Sequence, residues 1–179
     1  MGVLIALGGL VGGVLVLSLL LPGFAAGVWS PTPADVLARM LAMAAPQRGE
    51  ILVDLGCGDG RFLIEAARRY GAKSIGYEVN PFWLVWTRLH ALWRGVSHNV
   101  ELRRQDIFQA DLSDARIVIM FLSQAAHDRM GPILKAQLQP GARVVTYQRP
   151  FSNWIPSDQC EVRKGKFIYL YVKGQEKGA

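Results

Sequence analysis

A chain of 179 residues with 51% hydrophobic residues buries one sizeable core but hardly two, which fits one domain and an appended segment rather than two globular units. Lysine and arginine number 20 against 14 acids, a net charge of +6, yet no arginine-rich tail or aromatic-and-basic stripe accompanies that excess, so no specific nucleic-acid partner is expected. Two cysteines, Cys57 and Cys160, and three histidines, His90, His98 and His127, lack metal-ligand spacing, so no metal site is expected and a reducing compartment fits better than a disulfide framework.

Val3 to Leu21 holds only Val, Leu, Ile, Ala, Gly and Ser18, and no charged side chain occurs before Asp35. At about 1.5 Å per residue this run approaches the roughly 30 Å thickness of bilayer hydrocarbon, so residues 1–23 read as a single transmembrane helix contacting lipid through residues 3–21. A cleaved secretory signal, with Ala25, Ala26 and Gly27 at the cleavage region, fits less well because no positive segment precedes the run. A buried soluble helix is the third reading. Gly8 with Gly12, and Gly9 with Gly13, have the spacing for weak self-association of the helix, although glycine is common in membrane helices anyway. Pro22-Gly23 ends the run, and Arg39, Arg48 and the basic chain beyond favour a single-pass protein whose carboxyl-terminal part faces the cytoplasm.

Residues 24–33 read as a linker, with Trp29 at headgroup depth and Ser30-Pro31-Thr32-Pro33 as punctuation. Thr32 is expected to cap a helix with Pro33 at its first position and Asp35 closing the cap, and Val36, Leu37, Met40, Leu41 and Ala44 give that helix its apolar stripe. Ile51 to Leu55 is a buried strand interrupted by Asp54. The alternation Gly56-Cys57-Gly58-Asp59-Gly60 then forces a tight turn with bare backbone before a helix at Phe62 to Tyr70. A strand, a bare turn and a helix amino terminus together suit a nucleotide-type cofactor. Ser74 to Glu78 is the second strand, and Glu78 at its carboxyl end has the geometry to accept from both hydroxyls of a ribose.

Asn80 caps the next expected helix and Pro81 opens it. Pro81 to Trp93 is nearly apolar throughout and holds Trp83, Trp86 and Trp93, three of the five tryptophans. Such a helix needs cover from the core, a neighbouring helix, a membrane or a partner, and core packing is the favoured reading. Asn99 to Arg104 is a third strand, followed by Asp106-Ile107, where a carboxylate and an apolar side chain could read an adenine. Arg116 to Leu122 is a fully buried strand, Ser123 caps a helix that Gly131-Pro132 should bend or split, Ala142 to Tyr147 is another strand, and an aromatic hairpin closes the chain.

Asp54-Leu55-Gly56-Cys57-Gly58-Asp59-Gly60 resembles the cofactor motif of class I S-adenosylmethionine-dependent methyltransferases. That resemblance implies an α/β fold, a Rossmann-like class I methyltransferase sheet, mostly parallel with an antiparallel C-terminal hairpin, over residues 34–173, with 174–179 as a flexible tail. It implies S-adenosyl-L-methionine as cofactor, with Asp54, Gly56, Cys57, Gly58 and Gly60 at its methionine side, Glu78 at the ribose, and Asp106 and Ile107 at the adenine. The first helix would then cover the sheet or serve as a lid, with Pro31 to Pro33 near the methionine end.

More narrowly, the anchor, the Ser30 to Pro33 segment and the compact domain resemble membrane-anchored protein-lysine methyltransferases of the ATP-synthase c-subunit type and their small prokaryotic relatives. The implied acceptor is a lysine of a membrane-associated protein. Phe121, Tyr147 and Trp154 are the candidates to line its channel, and Ser123 or Gln124 to orient its amine. Many base methyltransferases carry Asn/Asp-Pro-Pro-Tyr after the fourth strand, whereas this chain has Phe121-Leu122-Ser123-Gln124. Small-molecule or lipid methylation and a non-catalytic assembly factor are the alternatives. A nicotinamide site is disfavoured because Arg61 stands where its fingerprint requires glycine.

Overall fold

The computed structural model describes residues 31–175. The expected transmembrane helix at 1–23 lies outside the described residues, among which no helix is long and apolar enough to cross a membrane. The described chain runs α1 (Ala34–Ala44), β1 (Ile51–Leu55), α2 (Arg61–Tyr70), β2 (Lys73–Tyr77), α3 (Pro81–Trp93), β3 (Val100–Arg103), β4 (Ile117–Met120), α4 (Gln124–Gln137), β5 (Arg143–Tyr147), β6 (Asp158–Arg163) and β7 (Lys166–Val172).

Seven strands form one sheet in the order β3-β2-β1-β4-β5-β7-β6. The first five are parallel, and β7 is antiparallel to both β5 and β6. This is the mostly parallel sheet with an antiparallel hairpin expected from the sequence. The order reverses at β1, and a crevice opens at the carboxyl ends of strands where such a reversal occurs.

Period-two alternation explains why the sheet is covered on both sides. In β4, Val118 and Met120 enter the cluster under α4, while Ile117 and Ile119 enter the one under α1 and α2. The five apolar residues expected to form the stripe of α1 are all buried.

Several local expectations are corrected. Helix α1 begins at Ala34, with Pro33 at the cap position in an extended conformation (ψ 147°) and no side-chain cap. Thr32 is buried with its carbonyl committed to Arg61, and Asp35 pairs with Arg163 at 2.8 Å instead of closing a cap. Strand β2 stops at Tyr77, so Glu78 lies just past its end. Helix α4 runs unbroken through Pro132. Gly131 leaves the helix surface low enough for Trp154 and Phe151 to close on it: an added Cβ would sit 3.5 Å from the Trp154 indole nitrogen.

The largest departure is α3. Core packing was favoured for this apolar helix, yet only Thr87 and Ala91 are buried, while Val85, Trp86, Leu89, Leu92 and Trp93 are exposed. The helix lies toward the β3 edge of the sheet and makes its buried contact with α2 along the narrow Thr87–Ala91 stripe. Large side chains on its other side therefore have no apolar cover among the described residues.

Candidate active site

The glycine turn is held first by its own backbone. Gly56, Gly58 and Gly60 all adopt the left-handed conformation, with φ of 80°, 49° and 72°, which only glycine takes up without steric cost. The Gly56 and Cys57 amides both donate to the Tyr77 carbonyl at 2.9 and 3.0 Å, and the Gly60 amide donates to the Cys57 carbonyl at 2.9 Å. The turn is thus stitched to the end of β2 before any ligand is considered.

Cys57 does not present its side chain to the crevice. Its sulfur lies against Gly76 of β2, where an added Cβ would come within 2.7 Å of it. Burial first, then the nearby Asp54 and Glu78 charges, push the thiol well above its ordinary range. The resemblance put Cys57 in the cofactor set; the structure makes its side chain a packing element and leaves only its main chain at the turn.

Glu78 joins two segments. One carboxylate oxygen accepts from the Gly58 amide at 3.1 Å, and the other from the Asn80 amide at 2.8 Å. An ionised carboxylate has about four acceptor positions, so each oxygen retains capacity for a hydroxyl. Asn80 in turn caps α3 through the Phe82 amide at 3.0 Å, with Pro81 at the first helical position, as the sequence indicates.

Asp54 is 5% exposed. Burial, then the charges of Asp59 and Glu78, push its carboxyl up to about 8. Three acids converging on one bare turn make a site that favours a cation. Asp59 is partly compensated by Arg61, whose Nε lies 2.9 and 3.0 Å from its two oxygens.

Two partners of this turn escaped the sequence reading. Thr87, fully buried on α3, donates its hydroxyl to the Gly58 carbonyl at 2.9 Å, and an added Cβ on Gly60 would lie 2.1 Å from its methyl carbon. A threonine within an apolar helix is the faint signal that could have marked it. Arg61 also donates to the Thr32 carbonyl at 2.6 Å, bringing the segment before α1 to the turn. That contact joins residues far apart in sequence and has no local signature.

At the end of β3, Asp106 caps the short 3-10 turn Ile107–Gln109 by accepting from the Phe108 amide at 3.0 Å. Ile107 is only 4% exposed and belongs to the core cluster under α4, so little of its side chain is open to a base. Asp106 beside it is partly exposed.

At the ends of β4 and β5, Phe121 and Tyr147 are brought together with ring centroids 5.0 Å apart; Tyr147 is buried and Phe121 is partly open. Ser123 caps α4, accepting from the Ala126 amide at 3.3 Å. Gln124 ties α4 to the following loop, its amide nitrogen donating to the Pro150 carbonyl at 2.8 Å. Trp154 is not brought to this pair. It packs against Phe151 and Tyr171 with the core on the α4 side of the sheet, 4.6 and 5.6 Å between centroids.

Two further residues shape this half of the rim. Gln148 adopts φ 63°, an uncommon conformation for a non-glycine residue and one that concentrates at functional sites. His127 is fully buried, and its Nε2 accepts from the Leu122 amide at 3.3 Å. Burial, then the Arg149 charge, lowers its pKa to about 4, so it stays neutral and supports the bend after β4.

Residues 54–158 match the ANTKMT methyltransferase domain. The chain belongs to that family. This methyltransferase is 34% identical to a protein-lysine N-methyltransferase of Saccharolobus islandicus over 82% of its own length and 94% of the relative's. It is 36% identical to the lysine N-methyltransferase of the ATP synthase c-subunit from Xenopus laevis over 70% of its length, spanning 55% of that longer protein. Among solved structures it superimposes on an RNA methyltransferase from Salinibacter ruber, bound to S-adenosyl-L-homocysteine, with a TM-score of 0.79 and 36% identity over 83% of this chain and 96% of the other.

The chain is therefore an S-adenosylmethionine-dependent methyltransferase, and the residues at the turn fit that cofactor. Its sulfonium and ammonium groups are cations suited to a site that holds Asp54, Asp59 and Glu78. Each Glu78 oxygen retains an acceptor position beyond its amide partner, the capacity a ribose diol would need.

Proposed function

We propose that this methyltransferase acts on the ε-amine of a lysine in a membrane-associated protein, with residues 34–173 as its catalytic domain. In this reading residues 1–23 are a single-pass anchor, and the catalytic domain faces the cytoplasm. The observation that carries the acceptor is the nearly end-to-end similarity to the archaeal protein-lysine enzyme, 94% of whose length is covered. The apolar Val3 to Leu21 run and the c-subunit enzyme from Xenopus laevis support a membrane setting.

When bound, S-adenosylmethionine supplies an already activated methyl group, so the chain has to bind, align and exclude water. Glu78 would hold the ribose while Asp54 and the turn face the methionine portion, and Asp106 would accept from the adenine amine. Phe121, beside Tyr147, offers the incoming lysine an apolar passage. Desolvation there lowers an amine whose ordinary pKa is about 10.4, and its proton leaves to solvent before transfer. The Gln124 amide nitrogen is already committed to Pro150, so its carbonyl oxygen is the end that would accept from the amine. Ser123 acts beside it by fixing the start of α4. Trp154 supports the loop from the core side.

A second acceptor, RNA, is favoured by the likeness to the Salinibacter ruber RNA methyltransferase. Phe121-Leu122-Ser123-Gln124, in place of the base methyltransferase element, speaks against base methylation. One experiment separates the readings: the full chain is incubated with methyl-labelled cofactor and either membrane proteins, total RNA or a lipid extract. Acid-stable label in a protein band, mapped to methyl-lysine by mass spectrometry, is expected. Ribonuclease-sensitive label, or label confined to lipid, would refute the lysine assignment.

A further inference from the structure

Helix α3 has one buried stripe and one bare one. Thr87 and Ala91 face the domain, Thr87 against the glycine turn and Ala91 in a small cluster with Ile64, Ala67 and Val96. Val85, Trp86, Leu89, Leu92 and Trp93 are exposed by 62, 50, 60, 56 and 79%. These positions repeat as i, i+1, i+4, i+7 and i+8, so they form one continuous apolar face.

The helix and its carboxyl-terminal flank carry arginines but no acid, although Arg94 also pairs with Glu65 of α2 at 3.1 Å. Arg88 is exposed, Arg94 follows the helix with its guanidinium 5.9 Å from the Trp93 ring centre, and no acid occurs between Glu78 and Glu101. Tryptophan and aliphatic side chains flanked by arginine match the boundary between acyl chains and anionic headgroups.

The chain preceding the described residues points to the same occupant. Nine residues, Pro22 to Ser30, separate Pro31 from the end of the uncharged Val3 to Leu21 run. Thr32 is tied to Arg61, and the neighbouring Gly60 packs directly on Thr87 of α3. The chain therefore enters the described domain, at Thr32, close to α3. Nine residues reach at most about 30 Å, so a bilayer holding the run lies within reach of the helix.

We propose that the exposed face of α3 lies in the interfacial layer of an anionic lipid bilayer, as a second membrane contact beside the amino-terminal anchor. This rests on the reading of residues 3–21 as that anchor. Folding those residues onto α3 would bury one side of an all-apolar helix and leave its other side in water, whereas a bilayer covers both. Because α3 also holds the glycine turn through Thr87 and Gly58, the contact sets the cofactor crevice at a fixed height above the lipid surface.

The test uses the full chain reconstituted in vesicles of phosphatidylcholine and phosphatidylglycerol with brominated acyl chains, which quench nearby tryptophan. Trp29→Phe with Trp83→Phe first removes the linker tryptophan and the partly buried one of α3, leaving Trp86, Trp93 and Trp154. Strong quenching of this variant is expected, and adding Trp86→Tyr with Trp93→Tyr should abolish most of it, since Trp154 is packed in the domain core. Flotation of the same vesicles reports the anchor separately. Co-flotation with Trp86 and Trp93 unquenched, as when residues 3–21 or a second copy covers the face, overturns the α3 contact alone. Failure to co-float overturns both.

Discussion

At the ends of β1 and β2 the rim of the crevice consists of backbone amides and three carboxylates, whereas at the ends of β4 and β5 it consists of aromatic rings and the left-handed Gln148. The first half is over-determined. Gly56, Cys57 and Gly58 each donate an amide to the end of β2 or to Glu78, and Thr87 and Arg61 brace the turn from outside. The second half has fewer such ties: His127 supports the bend, and Gln124 and Ser123 hold the start of α4. The contrast fits the proposed division of labour, with cofactor binding at a half built from main-chain amides and fixed carboxylates and acceptor contact at a half built from aromatic and polar side chains.

Three experiments act on that contrast. The largest effect is expected from Glu78→Ala, which removes the two oxygens proposed to accept from the ribose and leaves the Gly58 and Asn80 amides without their carboxylate. Loss of about 3 kcal/mol, roughly 100-fold in cofactor affinity by calorimetry, is expected. Unchanged affinity would break the assignment of this half.

A smaller, pH-dependent effect is expected at Asp54, whose pKa is raised in the fold from 3.8 to about 8. A carboxyl raised in this way contributes stability that is complete below its unfolded pKa and is lost as pH rises through about 8. Asp54→Asn should therefore raise the melting temperature of the ligand-free chain near pH 8, by about 2–4 °C for each kcal/mol recovered. A cationic ligand favours ionised Asp54, so cofactor binding near pH 7 should release a proton and tighten as pH rises towards 8. Calorimetry in buffers of different ionisation enthalpy measures that release, and its absence from Asp54→Asn identifies the group. Proton release equal in both chains would place the titration elsewhere.

The smallest effect belongs to the acceptor half. Phe121→Ala should lower kcat/KM for the protein acceptor by about tenfold, some 1.4 kcal/mol, with cofactor affinity unchanged. A parallel loss of cofactor affinity would dissolve the division between the halves.

Much of this architecture is visible in local patterns. The apolar strand before three alternating glycines, the Asn80-Pro81 helix start, the fully apolar β4 and the terminal hairpin are short-range features, and they appear close to the expected positions. Details differed where distant partners intervene: Pro33, not Thr32, stands at the cap position while the Thr32 carbonyl accepts from Arg61, and Asp35 pairs with Arg163. Trp154 was a candidate to line the acceptor channel, yet Gly131 of α4, far from it in sequence, provides the surface on which it packs.

The sequence alone determined the class of fold and the cofactor turn, because steric freedom at glycine, strand periodicity and helix capping depend on neighbouring residues. Only the tertiary structure decided which side of α3 is covered, which helix braces the turn, and which aromatic residues meet at the rim. Those outcomes depend on how elements pack across the sheet, and the same apolar helix is a core element or an open face according to what lies beside it.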